Sequence, residues 1–182
     1  CSQRWADGPS IWGMSDYNVY DDLRSLEYGP PPLYLPLQWG NNIAGDTYGL
    51  EGWGTWRVTP WWRLGAGFDL LHENLHFKPG GSDLVIQLAG DDPAAQGSLR
   101  STIRLLPNLS WQADLRYVGP LPNPAVPGYV ELNTSLDWAV SKRVEIALSG
   151  FNLLHARHLE FAEPPLIDEV GRSFYLETRV RF

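Results

Sequence analysis

The sequence is poor in several things that define common protein classes. It has 182 residues and a single cysteine, Cys1, so no internal disulfide framework can exist. It has no uncharged apolar run near the roughly 18 residues that a transmembrane helix needs. No segment carries a convincing helical periodicity. Positive charge is scarce: 14 Lys and Arg stand against 21 Asp and Glu, a net charge of −7. Such a chain has no basic field to attract phosphates, which argues against nucleic acid as a partner. It also lacks an initiating methionine and a signal segment. Cys1-Ser2 fits the start of a mature lipoprotein, and it also fits a chain cut from a longer reading frame, the expectation favoured here. The missing signal therefore says little about location.

What is present is aromatic. Nine Trp, eight Tyr and six Phe in a chain that is 43% hydrophobic argue against disorder. The length suits one domain. Period-two patterning dominates. In 173–182, Phe174, Leu176, Thr178, Val180 and Phe182 alternate with Ser173, Tyr175, Glu177, Arg179 and Arg181. In 129–140, Val130, Leu132, Thr134, Leu136, Trp138 and Val140 oppose Glu131, Asn133, Ser135 and Asp137. In 109–117, Leu109, Trp111, Ala113, Leu115 and Tyr117 oppose Ser110, Gln112, Asp114 and Arg116. In 97–105, Leu99, Ile103 and Leu105 oppose Ser98, Arg100, Thr102 and Arg104, and in 144–149 Val144, Ile146 and Leu148 oppose Glu145 and Ser149. Each is a strand with a different solvent on each face.

Weaker strands lie at 47–58 (Tyr48, Leu50, Trp56 and Val58 against Glu51, Thr55 and Arg57) and at 62–70 (Trp62, Leu64, Ala66, Phe68 and Leu70 against Arg63 and Asp69). Glycines thin both, as in a curved sheet. A further strand is expected at about 14–25, which brings the total to about eight. Thr59-Pro60, Pro107-Asn108 and Ser141-Lys142 read as tight turns, and Pro/Gly-rich stretches at 26–46, 77–95, 119–128 and 155–172 read as long loops. The fold class is therefore all-β, with antiparallel up-and-down transmembrane β-barrel strands joined by short turns on one side and long loops on the other.

The tryptophans agree. Trp56, Trp62, Trp111 and Trp138 fall on the apolar face, each within about three residues of a short turn. That places them at one height, as a membrane-interface girdle requires. Tyr48, Tyr117 and Phe174 could form the opposite girdle. The other face would then line the lumen with Glu51, Arg100, Arg104, Asp114, Arg116, Glu131, Asp137, Glu145, Glu177, Arg179 and Arg181, charges that are costly in lipid unless paired.

Four segments carry a family resemblance. Tyr17-Asn18-Val19-Tyr20-Asp21-Asp22-Leu23, Tyr48-Gly49-Leu50-Glu51, Gly150-Phe151-Asn152-Leu153-Leu154 and the ending Tyr175-Leu176-Glu177-Thr178-Arg179-Val180-Arg181-Phe182 resemble, in order and spacing, the last strands of TonB-dependent outer-membrane receptors. The resemblance implies a barrel of 22 strands with a plugged lumen. It implies import of scarce nutrients such as ferric siderophores, driven by the TonB complex. Residues 1–182 would be the C-terminal portion of such a barrel without its plug domain, so TonB would be reached only through the plug of a parent chain. The location would be the outer membrane of a Gram-negative bacterium, with outer-membrane lipid and the barrel-assembly machinery as partners. The ending, with Phe174, Leu176, Val180 and Phe182 on one face, resembles the signal which that machinery reads. No ligand-binding residue carries over. No cofactor is implied.

Two motifs suggest other chemistry. His72-Glu73-Asn74-Leu75-His76 matches the H-E-x-x-H pattern of zinc hydrolases, which works on a helix. Here it continues a strand, where residues four apart are about 13 Å distant, too far to chelate one ion. His155-Ala156-Arg157-His158 reads as a solvated loop, with metal or haem binding as its alternative. The competing functions are a self-contained eight-stranded barrel with a structural or anchoring role, which needs the first strand to pair with 173–182, and a zinc hydrolase.

Overall fold

The structure, a computed structural model, describes residues 8–28, 37–80, 92–122, 125–163 and 166–182. They contain strands and no helix: β1 (Ser10–Tyr28), β2 (Leu37–Thr59), β3 (Trp62–Phe77), β4 (Ala95–Leu106), β5 (Leu109–Val118), β6 (Leu121–Pro122), β7 (Ala125–Val126), β8 (Tyr129–Ala139), β9 (Val144–Phe151), β10 (Arg157–Glu163), β11 (Leu166–Gly171) and β12 (Ser173–Val180). Eight of them form one antiparallel sheet in the order β1-β2-β3-β4-β5-β8-β9-β12. Every neighbour in the sheet is the next long strand in the chain, so the topology is a plain meander. Short turns join β2 to β3, β4 to β5 and β8 to β9. The longer connections at the opposite end carry two small hairpins, β6–β7 and β10–β11.

The registers explain the faces. Residues opposite one another in an antiparallel pair point the same way. Trp62 faces Ile103, which faces Trp111, which faces Leu136, which faces Leu148, which faces Leu176. One step over, Arg100 faces Asp114, Arg116 faces Glu131, and Glu145 faces Arg179. The period-two pattern of each strand is thus stitched into one apolar and one polar face across the sheet. No second layer packs on the apolar face among the described residues. Leu176 is 72% exposed and Phe174 67%, and the described buried hydrophobics are only Ile43, Val118 and Val126.

Two glycines in β2 have steric reasons. Gly52 lies under the Phe68 ring, where a Cβ would come within 2.8 Å of Phe68 Cε1. Gly45 has φ 148°, and a Cβ there would collide with the Asn74 carbonyl. It sits opposite Tyr20, where the β1–β2 register shifts and the strands bulge.

Several sequence-based boundaries need correction. The first strand is longer than 14–25, and the stretch 26–46 is strand at both ends. The strands β1 and β2 stay paired up to Tyr28 and Leu37. Pro and Gly in that stretch suggested a loop, but Gly40 packs closely on Ser25 and Glu27 within the ladder. Likewise 155–172 is mostly the β10–β11 hairpin. Val58 drops out of the alternation, because Arg57 and Thr59 pair with Arg63 and Trp62 across a bulge. Of the loop at 77–95, residues 81–91 lie outside the described residues. The first strand does not pair with 173–182: β1 and β12 are the two edges of an open sheet among the described residues. The described residues therefore form an open sheet and not a closed eight-stranded barrel.

Asn152 anchors the late hairpin. It is fully buried, with a left-handed φ of 52° that Asn tolerates better than most residues. Its N–H donates to Asn133 Oδ1 at 2.9 Å, and its side-chain amide donates to the Val170 carbonyl at 2.8 Å. The next N–H, of Leu153, donates to the Leu132 carbonyl at 2.9 Å. We expect Asn152→Ala to destabilise the hairpin by about 2–3 kcal/mol, the sum of a buried carbonyl left unpaired and left-handed strain. Limited proteolysis within 155–172 should speed up accordingly. Asn152→Gly, which relieves only the strain, should fall between Ala and the parent.

Candidate functional site

The polar face is the chemically varied surface of the molecule. The β4, β5 and β8 strands place Arg100 against Asp114 in a close ion pair, and Gln112 donates to the same carboxylate at 2.8 Å. Further along, Asn133 donates to Glu131 at 2.6 Å and Ser135 to Asp137 at 3.1 Å. At the β9–β12 edge, Arg179 bridges Glu145 at 3.5 Å and Glu177 at 3.0 Å, and Arg181 reaches Glu145 at 3.0 Å. Arg104 and Asp137 line a groove of about 320 Å³ with Glu145, Glu177 and Arg179, near the short turns. On β2, Glu51 faces Asp69 and Met14. Glu51 and Asp69 share a second groove with Arg116.

This face is not uniformly polar. Trp12 stacks on Trp53 with ring centroids 6.5 Å apart, beside Met14. Phe151 meets Tyr175 edge-on at 5.6 Å. The sequence reading missed the Trp12–Trp53 pair, although parity counted from Trp56 puts Trp53 on the polar side. Trp12 lay before the expected start of the first strand.

On the apolar face Trp62 and Trp111 share one cross-strand row with Ile103 between them, and Trp56 and Trp138 lie one step to either side. The Trp62 indole N–H donates to Ser101 Oγ at 3.0 Å, and that of Trp111 to Thr134 Oγ1 at 2.7 Å. These hydroxyls sit on the same face, so the two indoles lie along the sheet. Phe174, Leu176 and Val180 are on β12, whose other side is unpaired among the described residues, and Phe182 lies just beyond it.

The end with the long connections carries polar clusters. Ser25 is buried and donates to Glu27 at 2.7 Å, Asn42 also donates to Glu27, and Ser25 Oγ accepts from the Asn42 N–H at 3.2 Å. These donors hold the Glu27 carboxyl below its ordinary pKa. Lys78 pairs with Asp22 at 2.7 Å and Asp21 at 3.2 Å, which pushes its ammonium pKa up. Asp21 and Asp22 are the bulged residues of β1. On the other side, the Tyr129 ring stacks on His158 at 3.9 Å and its hydroxyl donates to Glu160 at 3.0 Å. His158 is buried, which corrects the solvated-loop expectation: the β10–β11 hairpin folds it against β8. His155 is only half-buried.

His72 and His76 lie on strand β3. His72 stacks on Tyr48 at 4.6 Å, and His76 faces Ala44. The motif has the strand geometry that separates its two imidazoles, not the helical one.

No protein-family model matches the chain, and neither does any curated protein sequence. Solved structures do. The siderophore receptor PiuA from Acinetobacter baumannii superposes with a TM-score of 0.76 at 20% identity, covering 97% of this chain and 26% of that one. The ferric-catecholate import receptor Fiu from E. coli K12 gives 0.74 at 14% identity, over 100% and 26%. The ferric yersiniabactin uptake receptor FyuA from Yersinia pestis gives 0.73 at 17% identity, over 100% and 28%. The chain has the fold of a segment of such a receptor barrel. It spans little more than a quarter of each of these proteins. The likeness to TonB-dependent receptors expected from the sequence is thus found in the fold, and these neighbours are transport receptors rather than enzymes.

The loop-end clusters set a pH response. A carboxyl whose pKa is lowered by folding adds stability above its unfolded value, and that stability is lost as pH falls through the folded value. We therefore expect the ends of β1 and β2 near Glu27 to open faster as pH drops below 4.5, the ordinary value for that carboxyl. Hydrogen exchange, corrected for intrinsic rates, should show this extra opening in the parent and not in Glu27→Gln.

Proposed function

We propose that residues 1–182 are the C-terminal portion of the β-barrel of a TonB-dependent outer-membrane receptor, one that imports a ferric siderophore or a similarly scarce nutrient. The observation that carries this reading is the pairing of a single-layer, two-faced sheet with full-length superposition on iron-receptor barrels. A sheet whose apolar face is exposed and has no covering layer among the described residues suits contact with lipid there. A spanning β-strand needs about 9–11 residues. The strands β4, β5 and β8 have 12, 10 and 11. The β1 and β2 strands, with 19 and 23, would rise well beyond the membrane on the long-loop side.

On this reading the tryptophan rows form the girdle beside the short turns, and the ion-paired face lines the lumen. The unpaired edges would be completed by further barrel strands, a plug domain would fill the lumen, and TonB would act through that plug. The ending around Phe174, Leu176, Val180 and Phe182 would be engaged by the barrel-assembly machinery. The open sheet argues against the alternative of a self-contained anchor barrel, and the strand setting of His72 and His76 argues against a zinc hydrolase.

Single-cysteine labelling in lipid tests the orientation. Residues substituted at Arg100, Asp114 and Glu177 should react with an aqueous reagent, and those at Leu99, Leu115 and Leu176 should not. The latter three are open to solvent in the isolated sheet, so only lipid can shield them. Equal labelling of both sets would overturn the orientation. Transport gives a second test. Cells carrying only these 182 residues should take up no ferric chelate, because an arc with two bare edges cannot stand in a membrane alone.

A further inference from the structure

Where the polar face meets the late hairpin, three metal-ligating side chains converge. Glu131 on β8 and His158 and Glu160 on β10 each offer one ligand atom, and these atoms lie within 4.8 Å of one another. His158 is 9% exposed and its Nδ1 has no partner, an arrangement that costs a buried polar group its hydration. Its Nε2 stands 3.5 Å from Glu160 Oε1. The stacked Tyr129 ring fixes the imidazole plane, and its hydroxyl orients Glu160. The Asn133 amide orients Glu131. Donors that hold the ligating groups from behind are what metal sites use to set ligand direction. Arg116 lies opposite Glu131 in the sheet, the guanidinium beside the cluster.

We propose that Glu131, His158 and Glu160 bind a divalent transition-metal cation, with zinc as the best-suited ion. One imidazole nitrogen and two carboxylate oxygens match the borderline character of zinc, whereas calcium and magnesium take oxygen alone. Tetrahedral ligands about 2.0–2.2 Å from zinc stand roughly 3.4 Å apart, so the cluster must close by at most about 1.4 Å. Two carboxylates on flexible Glu stems can make that movement. Three protein ligands leave a fourth position open, so the ion is exchangeable and accessible to a donor atom from solution. Because the ligands come from β8 and β10, the bound ion also ties the late hairpin to the sheet. The site stands whether or not the protein imports an iron chelate.

The test uses the protein that carries this chain, purified in detergent from outer membranes and stripped with a chelator. Zinc chloride is titrated against a competing indicator, and cobalt chloride is followed through its visible bands. We expect one saturable zinc per chain that is weakened at least roughly 10-fold in both His158→Ala and Glu131→Gln. The Gln variant keeps an oxygen for Asn133 and so guards against simple misfolding. We also expect a four- or five-coordinate cobalt spectrum that both variants lose, and zinc-dependent protection of 155–172 from protease. His72→Ala/His76→Ala should change none of these. Absence of saturable zinc uptake, or uptake undiminished in both variants, overturns the site.

Discussion

Everything in this structure follows from one constraint: the sheet is a single layer. A soluble sheet buries at least one face against a helix or a second sheet, and among the described residues this one does neither. Its backbone is satisfied by the ladder, and its side chains form two extended surfaces of opposite character. Stability in such a molecule cannot come from a packed interior. It must come from strand pairing and from whatever medium meets each face. That is why the chain can leave leucines, phenylalanines and tryptophans from about a third to three quarters exposed on one side.

The second constraint concerns the edges. Among the described residues each of β1 and β12 has one partner strand. In water an unpaired edge invites aggregation, and in hydrocarbon it leaves polar backbone groups without partners. A two-faced arc is thus stable in lipid only as part of a larger closed wall. The likeness in fold to barrels of which this chain covers about a quarter is what that physics leads one to look for.

The meander, its faces and its asymmetric connections were legible in the sequence because the side-chain period of a strand is two and does not drift. In 109–117 and in 129–138 every residue's face could be assigned by parity. The outer ends of β1 and β2 were not legible. There the pattern is broken by a bulge at Asp21 and Asp22 and by glycines whose role is close packing, and composition alone cannot separate a glycine in a loop from one under a side chain. His158 was hidden for a different reason. Its burial depends on the β10–β11 hairpin folding over Tyr129, a long-range contact with no local signature. The stack of Trp12 on Trp53 depended on extending β1 beyond its expected start.

The ion pairs of the polar face do less for stability than their number suggests, and more for uniqueness. Arg100, Arg179 and Arg181 are each more than half exposed, and exposed pairs contribute about 0–1 kcal/mol. Stability alone would not place so many of them on one surface. A register slip of one residue, however, turns every side chain of a strand to the other face. Slipping β4 would move Arg100, at the middle of that strand, to the apolar side and Leu99 to the polar one. In a bilayer an arginine there costs roughly 2–4 kcal/mol near the midplane, so a single slipped strand forfeits several times what its ion pairs contribute in place. The charges act mainly by making the wrong registers expensive. That matters most for strands such as β4 and β5, whose small and hydroxyl-bearing residues on the apolar face, Ser101 and Ala113, would by themselves specify register only weakly.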